Sequence, residues 1–315
     1  MTLQARKTSV IVCAYTLDRW EGLVDAIRSL QLQEPPPLEV IVVIDHNGEL
    51  LRKARQLDGC RVIANDRGRG LSGARNSGLA AARGDIVAFM DDDARAQPAW
   101  IGTLTAAFGD ESVIGAGGTV VPQWETRRPP WFPPAFDWVV GCTYQGYPTQ
   151  EGRVRNVLGC NMAFRREHLA SVGGFRTELG RQAKMLFGVE ETEACIRLSQ
   201  RWPDATILHI PAAIVYHTVP TSRTTWNYFR RRCFGEGVSK AVLSGMVGSS
   251  QALETERRYT RSVLPAAMFD AMSKAIRQRR AGFVVRAAAV MAGLMITAAG
   301  YGWGLASRRT SLQTR

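Results

Sequence analysis

The sequence has no CxxC pair and no tight cysteine spacing; Cys13, Cys60, Cys142, Cys160, Cys195 and Cys233 stand singly. This excludes a zinc ribbon and a disulfide framework, and fits reduced, mostly buried thiols in a cytosolic compartment. The N-terminus, MTLQARKTSVIVCAY, lacks a long apolar core and a small-residue cleavage site, so a cleaved signal is not expected. There is no internal repeat and no low-complexity tract. Acidic residues are scarce at one end: residues 220–315 carry 4 of them against 16 Lys and Arg, whereas residues 1–219 balance at 24 and 24. The net charge of +12 therefore belongs to the tail. A neutral body with a basic tail points to an anionic surface, nucleic acid or lipid, met by the tail alone.

The remaining composition, 45% hydrophobic and 22% charged over 315 residues, describes an ordinary globular enzyme of one large or two smaller domains. Short β-branched apolar runs at Ser9–Ala14, Leu38–Ile44, Arg61–Ala64 and Ile86–Met90 predict strands. Helical patterns at Trp20–Leu32, Leu50–Leu57 and Ser72–Ala82 alternate with them. That order predicts a doubly wound, mostly parallel α/β domain. Further on, Pro98–Phe108, His168–Val172 and Glu190–Trp202 predict helices, and Val113–Val121, Cys160–Arg165, Ile207–Ile210 and Ala213–Tyr216 predict strands. Glu178–Gly188, charged and flanked by glycines, is expected to be a mobile loop. The catalytic domain is expected to cover residues 1–219, with a basic helical tail over 220–315.

Polar residues collect where the carboxyl edge of the sheet belongs, the ligand-binding edge of open α/β folds. Tyr15 and Thr16 follow the first strand, Asp45 the second, and Asp91, Asp92 and Asp93 the strand Ile86–Met90. Three consecutive carboxylates repel one another and call for a cation, although a solvated acidic loop tip would look the same. Arg75 and Asn76 lie on the helix that enters that strand. Together these residues form a candidate nucleotide clamp: Tyr15 against a base, Asp45 for a base or ribose donor, Arg75 for base or phosphate, and a metal on the aspartates.

The stretch Gln123–Gly152 holds Trp124, Trp131, Phe132, Phe136, Trp138, Tyr144 and Tyr147. It is a folded excursion, either a packing cluster or an acceptor-binding wall. In the tail, Trp226–Leu243 is a basic helix candidate. Lys274, Arg277, Arg279, Arg280 and Arg286 precede Ala287–Ala306, 20 residues without a formal charge. A nucleic-acid arm needs no such run, so an anionic membrane surface is the expected partner, not nucleic acid. A spanning helix, a monotopic or hairpin insertion and a buried soluble helix all remain open.

The segments SVIVCAYT, VIVVID, GLSGARNSGLAAARGDIVAFMDDDA, GCNMAFRRE, GGF and EETEACIRL resemble family 2 glycosyltransferases of the GT-A fold, over roughly residues 8–220. The resemblance implies donor contacts at Ala14, Tyr15, Asp45, Arg75, Asp91 and Asp92, and a DxD motif at Asp91 and Asp93. It also implies Mg2+ or Mn2+ as cofactor, with Asp93 as direct ligand and His217 completing the metal shell; as a lone histidine, His217 is otherwise a packed residue. The family's usual Glu-Asp pair aligns with Glu190-Glu191, which makes Glu191 the implied catalytic base, with Glu190 and Glu193 as alternatives. A helix N-terminus alone would also favour all three glutamates. The implied reaction is inverting transfer of a sugar from a nucleotide-diphosphate donor to a hydroxyl acceptor.

The excursion AFDWVVGCTYQGYP and the C-terminal apolar segment are similar to the glucosyl-dolichyl-phosphate glucuronosyltransferases and their bacterial relatives. That similarity implies a lipid-linked or glycan-precursor acceptor at the cell membrane, with the catalytic domain on the cytoplasmic side. A membrane-associated sugar-nucleotide-binding protein without transfer activity is the alternative. A nucleotidyltransferase would carry a Gly-rich loop after the first strand, where Ala14-Tyr15-Thr16 stands, and a haloacid-dehalogenase phosphatase would carry its DxD there.

Overall fold

The computed structural model describes residues 7–179 and 188–313. Most of the loop expected over Glu178–Gly188 therefore lies outside the described residues. Two compact units divide the chain. Met1–Val121, Pro148–Lys184 and Glu190–His217 form the first, and Pro122–Tyr147, Met185–Val189 and Thr218–Arg315 form the second.

In chain order the elements of the first unit begin with β1 (Thr8–Ala14), α1 (Trp20–Gln31), β2 (Glu39–Ile44), α2 (Gly48–Ala54) and β3 (Arg61–Ala64). Next come α3 (Leu71–Ala81), β4 (Ile86–Asp91), β5 (Ala94–Ala96) and α4 (Trp100–Ala106). The series continues with β6 (Val113–Trp124), β7 (Gly152–Arg153), β8 (Asn161–Arg165), α5 (Arg166–Ser171), α6 (Glu190–Arg201) and β9 (Thr206–Val219). β6 and β9 run on into the second unit at their ends. The strands pair in the order β3-β2-β1-β4-β8-β6-β9-β5, with β7 on β9.

The apolar runs of β1, β2 and β4 are buried almost throughout, as strands covered on both faces must be. β1, β2, β3 and β4 are mutually parallel, whereas β8 runs antiparallel to β4 and β6, and β9 antiparallel to β5 and β7. The sheet is thus mixed. Burial on both faces dictates apolar composition but not strand direction, which is why β8 was not separable from the parallel set in sequence. Ile11, Ile41, Val43, Phe89, Phe164 and Leu198 form its core, closed by Phe175, whose ring meets Phe89 edge-on at 5.3 Å.

Three local differences from expectation matter. β5 is a three-residue strand with no apolar run to announce it. The helix expected over Pro98–Phe108 starts at Trp100 and ends in a 3-10 turn. The two short strands expected around Pro211 are one continuous β9. Proline lacks an N–H for the ladder, yet β9 continues through Pro211, whose carbonyl accepts from Thr119 Oγ1 at 2.9 Å.

The second unit contains α7 (Trp226–Val247), α8 (Ser249–Ala252), α9 (Glu254–Arg258), α10 (Leu264–Gln278) and α11 (Ala281–Gln313). The aromatic excursion packs on α7: Trp131 meets Trp226 at 5.5 Å, and Phe136 meets Phe229 at 5.2 Å. Arg128 holds Asp137 by two bonds of 2.7 and 2.6 Å. α7 and α11 touch backbone to backbone, because a Cβ on Gly237 would run into Thr297 O and one on Gly300 into Phe234 O.

Candidate active site

Register aligns the carboxyl ends of the parallel strands. Ala14 stands opposite Ile44, and Cys13 opposite Asp91. The ladder continues into the loops, with Asp45 N–H donating to Ala14 O at 2.8 Å and Asn65 N–H to Ile44 O at 2.9 Å. Ala14, Asp45, Asn65 and Asp91 therefore share one edge. Beyond them Tyr15 leaves the sheet with 55% of its surface exposed, its ring 5.4 Å from the Arg19 guanidinium.

Asp45 is held rigidly. Its Oδ1 accepts from Asn65 Nδ2 at 2.7 Å, and its Oδ2 accepts from the Gly70 N–H at 2.9 Å. Asn65 is itself fixed by Ser77, whose hydroxyl donates to Asn65 Oδ1 at 2.8 Å. Nothing in the sequence reading singled out Asn65, although it follows β3 as Asp45 follows β2.

The three aspartates diverge. Asp91 ends β4 and is partly open, whereas Asp92 and Asp93 are buried. Arg19, on the turn after β1, pairs with Asp92 at 2.9 Å and with Asp93 at 3.2 Å. Burial pushes the Asp92 carboxyl up to about 7, against the pull of Arg19. Arg19 is a site residue that the sequence reading missed; it closes the turn Leu17–Arg19, five residues past β1, and no local signal marks it.

β9 supplies the next group. Its antiparallel pairing with β5 sets His217 opposite Ala94, so the imidazole lies beside the acidic turn. His217 Nε2 is 3.1 Å from Asp93 Oδ1. One ligand atom each from Asp91, Cys160 and His217 also lie within 4.8 Å of one another. His217 thus meets Asp91 and Cys160 in one cluster and Asp93 in a separate contact; carboxylate and imidazole donors fit Mg2+ or Mn2+, while the Cys160 thiol in the cluster is a softer donor.

Arg75 joins this acidic edge to α6. Its side chain is 3% exposed, with Nη1 donating to Glu190 Oε1 at 3.0 Å and Nη2 to Gly159 O at 3.0 Å. Asp91 Oδ1 lies 3.5 Å from Nη2. Burial opposes the Arg75 charge, but Glu190, Asp91 and Glu191 more than offset it, so its pKa is raised. Arg75 was expected to contact the base or phosphate of a donor; its side chain forms a buried brace between two acidic elements.

The three glutamates at the start of α6 are not equivalent. Glu190 is buried on Arg75. Glu193 is 1% exposed and bonded to Arg176 at 2.8 Å and to Arg197 at 2.5 Å. Glu191 between them is half-buried.

The sequence profile of Glycosyl transferase family 2 matches residues 9–173. The chain is 31% identical over 304 residues to the glucosyl-dolichyl phosphate glucuronosyltransferase of Haloferax volcanii, covering 95% of this chain and 96% of that one. It is 26% identical over 236 residues to the succinoglycan biosynthesis protein ExoM of Rhizobium meliloti, covering 72% and 71%. Among solved structures, it resembles the mannosyltransferase PcManGT from Pyrobaculum calidifontis in complex with GDP-Man and Mn2+, with TM-score 0.57, 19% identity and coverage of 94% and 88%. It also resembles GalNAc-T7 with UDP, GalNAc and Mn2+, with TM-score 0.53 and 16% identity, covering 81% of this chain but only 54% of that chain. At these identities the structural likenesses speak for the fold alone.

Proposed function

Because the chain belongs to glycosyl transferase family 2 and is a glycosyltransferase of mixed α/β, GT-A-like fold, we propose that it moves a sugar from a nucleoside-diphosphate donor to a hydroxyl acceptor with inversion at the anomeric carbon. The observation that carries this reading is the Arg75 brace, which ties Glu190 to Asp91 and so brings the acidic start of α6 beside the acidic end of β4. A base and a leaving-group site at one sheet edge are what direct displacement requires.

The residues take separate roles. The exposed Tyr15 ring flanks the nucleotide base, and Asp45, pre-set by Asn65 and Gly70, accepts from a base or ribose donor. The backbone at Ala14 and the Asp91–Asp92 turn line the diphosphate end of the donor, with Arg19 fixing the turn. Asp93 and His217, with Asp91 near His217, would hold a divalent ion. When bound, Mg2+ or Mn2+ supplies positive charge against the departing diphosphate. Glu191 takes the acceptor hydroxyl proton. Glu193, sealed between two arginines, and Glu190, engaged by Arg75, are less suited to that task.

The acceptor class follows the name of the Haloferax relative: a sugar linked to a polyprenyl phosphate, or a related glycan precursor. The basic tail meets the anionic cytoplasmic leaflet of the cell membrane, which leaves the catalytic unit on the cytoplasmic side. The test is a panel of nucleotide sugars assayed for metal-dependent hydrolysis, then for transfer to a polyprenyl-phosphate sugar. Metal-dependent transfer to the lipid is expected. Donor binding without hydrolysis or transfer would instead make this a binding protein.

A further inference from the structure

From Ala281 to Ser307, α11 has two unlike faces. On one, Arg286 Nε donates to Pro130 O at 2.9 Å, Gly293 lies under Phe136 and Phe229, and Gly300 and Gly304 meet α7 at Phe234 and Ala241. Ala289 and Val290 are buried on that side. These positions recur every three or four residues, the spacing of one helix face. The other face carries Val284, Val285, Met291, Met295 and Trp303, of which Met295 and Trp303 are 60% and 63% exposed. From Ala281 to Ala306 the sequence offers no formal charge except Arg286, which bonds on the packed side.

α10, which packs against α11, repeats the pattern. Leu264, Ala267 and Ala271 are buried on one side. Phe269, Met272 and Ile276, at one-turn and two-turn spacing, point away from them, with Phe269 78% and Ile276 75% exposed. A helix already buried by one apolar face has no use in water for a second. Exposed Arg277, Arg279 and Arg280 stand at the link between the two helices.

We propose that the outward faces of α10 and α11 form one surface that lies in the plane of an anionic lipid leaflet, with α11 embedded along its side and not crossing the bilayer. The inference rests on the membrane association proposed above and specifies its mode. At about 1.5 Å per residue, the 27 residues Ala281–Ser307 are long enough to span a hydrocarbon core of about 30 Å. The packing forbids it. α7 lies against α11 from Gly293 to Gly304, so a crossing α11 would carry α7 into the hydrocarbon with it. α7 contains Arg230, Arg231, Arg232, Glu236 and Lys240, and charges at that depth are expensive. In-plane seating immerses the uncharged face and leaves α7 on the water side. Charge selects the occupant: a second copy would set the arginines at the α10–α11 link against their own kind, whereas an anionic leaflet pairs with them.

The test uses full-length protein added to sealed vesicles of phosphatidylcholine, with and without phosphatidylglycerol. Flotation with the anionic vesicles at least 10-fold above the neutral ones is expected, and Phe269→Asp with Ile276→Asp should reduce it by a similar factor while circular dichroism stays unchanged. Single cysteines at Ser249→Cys and Ser311→Cys should both react, above the parent protein's background, with a membrane-impermeant maleimide added outside. Protection of the residue 311 cysteine alone means a crossing helix and overturns the in-plane mode while leaving membrane association intact. Wild type that floats with no vesicle overturns both. A dimer in the absence of lipid that the two aspartates convert to monomer, with vesicle binding unchanged, assigns the face to a second copy and also overturns the proposal.

Discussion

Arg75 Nη1 donates to Glu190 Oε1 at 3.0 Å inside the protein, joining the helix that enters β4 to the helix that carries Glu191. The same guanidinium lies 3.5 Å from Asp91. One buried cation thus neutralises two carboxylates from elements a hundred residues apart. It turns an acidic strand end and an acidic helix start into parts of one site.

Removing that cation leaves two carboxylates uncompensated. Arg75→Met is expected to destabilise the fold by about 3–5 kcal/mol in urea unfolding, the usual cost of breaking a buried pair from one side. Adding Glu190→Gln should recover part of the loss. Additive effects of the two changes would argue against a direct coupling.

Glu191→Gln is expected to lower kcat by about 10²–10⁴ while donor affinity, measured by calorimetry, stays within twofold. Glu193→Gln should instead lower stability, because Arg176 and Arg197 lose their shared partner. Equal kinetic losses from both variants would remove the distinction drawn between them.

Chelation is expected to abolish turnover, with Mg2+ or Mn2+ restoring it. Asp93→Ala and His217→Ala should each raise the metal concentration needed for half-maximal activity by 10-fold or more. If chelator leaves wild-type turnover intact, the metal role of Asp93 and His217 fails.

His209 is buried beside the Gly117 carbonyl, and burial lowers its pKa below the ordinary 6.5. The folded state thus resists a proton that the unfolded chain accepts, so stability rises with pH through this window. The contribution is complete above pH 6.5 and is lost as pH falls toward the lower folded value. From pH 7.5 to pH 5 this contribution falls with acidification while the raised Asp92 carboxyl acts in the opposite sense, so the test is the difference: the slope of unfolding free energy against pH should be lower in His209→Gln than in wild type. An unchanged slope would point to other groups.

Much of the first unit was legible because its signals are local. β-branched runs flanked by turn residues mark β1, β2 and β4, and 3.6-residue spacing marks α1 and α6. The polar residue at each strand end was informative too, and reading that rule further would have found Asn65 as well as Asp45, whereas Arg19, five residues past β1, shows its role only through its contact with Asp92. β5 escaped because three residues carry no period, and β9 was split because Pro211 looks like a break wherever its partners are unknown.

The sequence by itself determined the strand and helix segments, the family motifs and the concentration of positive charge in the last 96 residues, since each depends on neighbours in the chain. Tertiary structure alone decided the rest. His217 reaches Asp93 only because β9 pairs with β5, and Arg75 of α3 becomes a brace only because the start of α6 brings Glu190 to it. The apolar run of α11 has a free side and a packed side only because its own Gly293, Gly300 and Gly304, with Gly237 of α7, let the two helices touch along one face. These are contacts between distant segments, and no local pattern of residues encodes which partner a face will meet.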